Sequence, residues 1–134
     1  MNARLLLLLS TAVALGACSP KPTETLIGCF STSQGGSQEF RIARDEHEQF
    51  TLAWRQRDHW GQAQVLKLAD RQWIDEQFGT DAGKIQASLL ASDGSFSIHR
   101  VQAGQSVAGG KTESGFLGQF FFGAGQVYKS AECV

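Results

Sequence analysis

Short runs in which apolar and polar residues alternate, separated by turn-forming breaks, constrain this chain more than any other feature. Period-two alternation gives one buried face only to a β-strand. In segment 37–44, Phe40 and Ile42 fall on one side and Glu39 and Arg41 on the other. A charged break, Asp45-Glu46-His47-Glu48, separates it from Phe50, Leu52 and Trp54, which alternate with Thr51, Ala53 and Arg55. Two such runs across a polar break form a hairpin. The pattern repeats with Ile85, Ala87 and Leu89, then Phe96 and Ile98, across Ser92-Asp93-Gly94-Ser95, where Asp-Gly is a strong two-residue turn signal. A third hairpin is expected from 115–123 and 126–129, with Gly123-Ala124-Gly125 as its turn.

Between the first two hairpins, Val65 to Ala69 reads as a strand, and Asp70 as the cap of a short helix ending at Phe78, with Gly79 as its stop. Trp73, Ile74 and Phe78 would form its buried face; the competing reading is one more strand. No Pro/Gly-rich linker or repeat divides the remainder. The expected fold is mainly β: a single antiparallel domain of about seven strands, a curled meander or small barrel with a sandwich as the alternative, and one short helix near 70–78. In the run 116–122, Phe116, Phe120 and Phe122 share one face and Leu117 and Phe121 the other, as in a strand covered on both sides.

The amino terminus has a separate character. Arg4 is the only charge before an apolar run, 5–15, interrupted only by Ser10 and Thr11. This is shorter than the ~20 residues a membrane-spanning helix needs and fits a secretory signal. Leu15-Gly16-Ala17-Cys18 resembles the lipobox of bacterial lipoproteins: a branched apolar residue, two small residues and the cysteine that is acylated. The resemblance covers the first eighteen residues. It implies a signal peptide at 1–17, a lipidated Cys18 with a polar, Pro-containing tether at 18–26, and a folded domain at 27–134. Ser19 in place of an aspartate implies the outer membrane of a Gram-negative cell. The alternative is an ordinary signal peptide that leaves Cys18 as a thiol.

With Cys18 carrying lipid, Cys29 and Cys133 have only each other, in a compartment that favours disulfides. Loss of Arg4 with the leader leaves a net charge of −2, which excludes a basic nucleic-acid footprint. Membrane attachment must then come from the acyl chains.

Chemistry-bearing motifs are sparse. Gly109-Gly110-Lys111-Thr112 mimics a phosphate loop, but the glycine required at 105 is Gln105, and no helix pattern follows. His47, His59 and His99 lack the spacing that places two rings on one metal, so no metal site, cofactor or catalytic residue is assigned. Segment 55–62 joins charge, an aromatic ring and glycine in an expected loop. Arg55, Arg57 and Trp60 are its candidate interface residues, although Trp60 could instead fold back onto the core. The expected function is a non-catalytic, periplasm-facing module that binds a protein partner, of the envelope-assembly or inhibitor and immunity type. The alternatives are a carrier of a small apolar ligand in a barrel interior and an enzyme with a scattered active site.

Overall fold

The structure, a computed structural model, describes residues 19–134; the expected signal peptide and Cys18 lie outside the described residues. A short helix α1 (Pro22–Thr25) precedes β1 (Gly28–Ser31), β2 (Phe40–Arg44), β3 (Phe50–Gln56), the two-residue β4 (His59–Trp60) and β5 (Gln64–Leu68). Helix α2 (Arg71–Phe78) and a 3-10 turn (Gly79–Lys84) follow. Then come β6 (Ile85–Ala91), β7 (Phe96–Val101), β8 (Ser106–Val107), β9 (Gly110–Lys111), β10 (Phe116–Phe120), β11 (Gly123–Gln126) and β12 (Tyr128–Lys129).

Ten of these strands form one antiparallel sheet in the order β11-β10-β7-β6-β5-β3-β2-β1-β12, with β4 added to β3. Apart from the small β8–β9 ribbon, long strands adjacent in the sheet are successive in sequence, so the sheet is an up-and-down meander. Only Val127 separates β11 from β12. The first half of this final strand pairs with β10, and the second half pairs with β1. The meander is thereby curled into a nearly closed barrel, and the sandwich alternative is set aside. The strand count exceeds seven partly because the last strand is split and β4 is a short addition.

Inward residues of the meander meet in one aromatic core. Phe40 stacks on Phe30 at 5.3 Å and meets Phe96, Trp54 and Phe120 at 5.4, 5.4 and 5.8 Å. With Leu52, Leu89, Ile98 and Val127, these rings fill the barrel interior. Gly118 serves that packing: a Cβ there would lie 2.7 Å from the Phe120 ring and 2.9 Å from Val127. The missing side chain is what lets Phe120 fold back over the strand.

A second core lies on the outer face, beneath α2. Asp70 caps the helix, its carboxylate accepting from the Trp73 N–H at 2.8 Å, and Gly79 (φ 55°) ends it. Ile74 is buried with Ala82, Ile85, Val101, Val107 and Leu117, while Trp73 and Phe78 flank them. The helix expected near 70–78 is therefore present, with its expected buried face.

Two turns differ from expectation. The third hairpin reverses at Phe121-Phe122, since Phe120 pairs with Gly123, and Gly123-Ala124-Gly125 belongs to the returning strand. Gly123 takes φ 148°, a backbone open chiefly to glycine, so the glycine permits the return rather than forming the bend. The phosphate-loop lookalike is a two-residue hairpin: Val107 pairs with Gly110 across Ala108 (φ 52°) and Gly109 (φ 82°). Two successive positive φ values are the signature of a primed hairpin turn. The segment is strand–turn–strand, with no helix to present N–H groups to phosphate.

Cys29 and Cys133 form a disulfide, with Cα atoms 5.3 Å apart. It holds the segment after β12 along the outer face of β1. Gln38 binds the Glu132 carbonyl and the Val134 N–H, and Arg55 binds the Val134 carbonyl at 2.7 Å.

Candidate functional site

Strand register places four outward side chains in one row. Lys67 lies opposite Leu90, Leu90 opposite Ser97, and Ser97 opposite Gln119. Trp73 and Gln77, one turn apart on α2, stand beside this row. Together with Ser92, Gly94, Phe96 and Phe120 they bound a groove of about 530 Å³, within the usual range for small-ligand sites.

The next row of the sheet puts Ser88 opposite His99 and His99 opposite Leu117. His99 has no exposed surface. Trp73 stacks on its ring at 6.1 Å, and Phe78 meets it edge-on at 4.9 Å. Ser88 Oγ lies 2.6 Å from Nδ1, Ser97 Oγ lies 3.0 Å from Nε2, and Ser97 donates to Gln119 Oε1 at 2.9 Å. Burial pushes the imidazole pKa down to about 4, against a smaller opposing effect of Gln119, so the ring is neutral at pH 7. One proton arrangement satisfies every contact: Ser88 donates to Nδ1, Nε2–H donates to Ser97, and Ser97 donates to Gln119. In that arrangement His99 offers Ser97 no lone pair, as activation of a nucleophile would require. The chain instead turns Gln119 Oε1 inward and leaves its Nε2 protons free. His47 and His59 are exposed beside Glu46 and Asp58.

The expected interface residues are only partly brought together. Arg55 pairs with Trp60 across the β3–β4 turn, and the guanidinium groups of Arg41 and Arg55 each lie 4.9 Å from the Trp60 ring centre. Trp60 is thus half-buried on the outer face between two cations and does not join the core. Arg57 sits at the turn with φ 56°, and its carbonyl accepts from Arg55 Nε at 3.2 Å. Arg55 and Arg57 line a shallow depression with Gln38 and Val134.

A second surface feature escapes the alternation pattern. Phe121 is 85% exposed and Phe122 64%, at the tip of the β10–β11 hairpin. Phe122 stacks on Phe120 at 5.0 Å with the rings 5° from parallel. In a meander, successive turns alternate between the two barrel ends. The 45–49 turn lies at the α1 end, where Arg44 is ion-paired to Glu24. Counting strands from there puts the 92–95 turn and the Phe121-Phe122 tip at the opposite end.

Fold and surface together define a small, disulfide-bonded meander barrel with an aromatic tip and one lateral groove. No protein-family model, curated protein or solved structure matches the chain.

Proposed function

We propose that the protein is anchored by an acylated Cys18 to the outer membrane of a Gram-negative cell. There it acts as a non-catalytic, periplasm-facing module that binds a protein partner, of the assembly-accessory or inhibitor type. The observation that carries this reading is the exposed Phe121-Phe122 pair at the barrel end opposite α1. Burying one phenylalanine side chain contributes about 1.5–3 kcal/mol, so two rings supply a substantial anchor for a partner. A tether leaving from the α1 end holds the tip away from the bilayer. That orientation favours a protein contact over membrane insertion.

The test is photo-crosslinking in intact cells from a benzophenone residue placed at Ala124, which is exposed beside the tip and outside the groove. A discrete protein adduct is expected, and it should vanish in the Phe121→Ser/Phe122→Ser double variant while the purified variant keeps its far-UV circular dichroism. An adduct of equal yield in the double variant would refute the role of the tip. Cys18→Ala should move the protein from the membrane to the soluble fraction; retention on the membrane would refute the anchor.

A further inference from the structure

We infer that the groove beside α2 binds the carboxyl terminus of a short, extended peptide with apolar side chains. The inference rests on the outer face of the sheet and does not depend on the aromatic tip. Among the described residues, Lys67 is the only charged side chain lining the groove, and no carboxylate accompanies it. An unopposed ammonium among neutral groups selects an anion. Lys67 and Gln119 mark opposite ends of a four-strand row, three strand spacings or about 14 Å apart. One small anion cannot span both groups. A ligand that uses both therefore has a charged acceptor at one end and a neutral acceptor several bonds away.

Gln119 supplies the complement to the neutral acceptor. Its Oε1 is occupied by Ser97, so its Nε2 protons are the groups left to donate. The contact with Ser97, whose hydroxyl is itself held against the buried His99, keeps the Gln119 side chain in place before any ligand arrives, which reduces the ordering cost of binding. Between the two ends lie Leu90 and the Trp73 ring, surfaces that suit apolar side chains. A peptide carboxylate set at Lys67, with a backbone carbonyl four residues upstream set at Gln119, matches this spacing at about 3.3 Å per extended residue.

The probe is N-acetyl-Ala-Ala-Leu-Phe with a free carboxylate, titrated into the ¹⁵N-labelled disulfide-bonded domain and followed by two-dimensional NMR. Saturable shifts are expected at the Trp73 indole N–H, the Gln119 side-chain amide and the Lys67 backbone amide. The carboxamide form of the same peptide should bind at least about tenfold more weakly, since a charge-assisted contact is lost. Octanoate, which has the carboxylate and apolar body but no second acceptor, should also bind more weakly than the peptide. Lys67→Gln alters an exposed side chain, so its spectrum should keep the wild-type pattern while its affinity falls about tenfold. No shifts at millimolar peptide would overturn the inference, as would equal binding of acid and amide or an unchanged affinity in Lys67→Gln. Octanoate binding as tightly as the peptide would overturn the peptide assignment.

Discussion

Replacing His99 with glutamine should remove most of the acid sensitivity of this domain between pH 4 and 6.5. The ring is fully buried, and its pKa falls from 6.5 to about 4 because burial penalises the charged form. Within that window the unfolded chain binds a proton that the folded chain refuses, so stability rises with pH. Above pH 6.5 both states are neutral and the contribution is complete. Below pH 4 both are protonated and it is gone. The drop from 6.5 to about 4 amounts to roughly 3 kcal/mol of stability across the window. Urea unfolding of both proteins, with the disulfide intact, at half-unit steps from pH 4 to 7.5 provides the measurement. Exposed carboxylates contribute to both curves and cancel in their difference. Asp81 and Asp93, whose pKa values are lowered from 3.8 by hydrogen bonds from Lys84 and Ser95, lose their contributions below this window. The variant should start less stable at pH 7.5, having lost ring packing against Trp73 and Phe78, and should then show a flatter curve. Two parallel curves would refute the buried, neutral histidine.

Reducing the Cys29–Cys133 bridge, with a sequence separation of 104, should cost about 4.7 kcal/mol in the chain-entropy description. At about 2.1 cal/mol/K per residue over the described domain, that is a fall of about 20 °C in Tm by calorimetry; an unchanged melt would contradict it. Gly118→Val drives a branched side chain into Phe120 and Val127, and should lower urea stability by about 1–3 kcal/mol. A neutral result there would mean that the Phe120 ring moves aside freely. Asp70→Ala removes the α2 cap and should cost about 1 kcal/mol, with the earliest loss of amide-exchange protection in 71–78; uniform loss across the barrel would count against local capping.

The legible parts of the fold were those whose signal lies in adjacent residues. Phe40, Ile42, Leu52 and Trp54 declare their faces by alternation, Asp93-Gly94 declares a turn, and Asp70 and Gly79 bracket a helix. The third hairpin was misplaced because Gly123-Ala124-Gly125 carries stronger local turn chemistry than two phenylalanines. What sets the bend is pairing: Phe120 opposite Gly123 leaves only Phe121 and Phe122 to span the turn. The groove was illegible for a related reason. Ser88, Ser97, His99 and Gln119 occupy outward positions of otherwise apolar strands, and only the packing of α2 turns those positions inward. Their polarity opposite an amphipathic helix was the available signal. The paired cysteines, by contrast, could be identified once Cys18 was assigned to the lipid.

The final strand has a consequence for how the molecule comes into being. Closure joins Phe30 to Lys129 and Leu117 to Gln126 through the two halves of one segment. A chain lacking everything from Gly123 onward would leave β1 and β10 with bare edges, an open row of amides and carbonyls ready to pair with another molecule. Ring closure between positions so distant in sequence makes the last step of assembly slow relative to the hairpins. Until closure, the open edges of β1 and β10 leave the chain exposed to aggregation. Formation of the disulfide converts that late encounter into a permanent one.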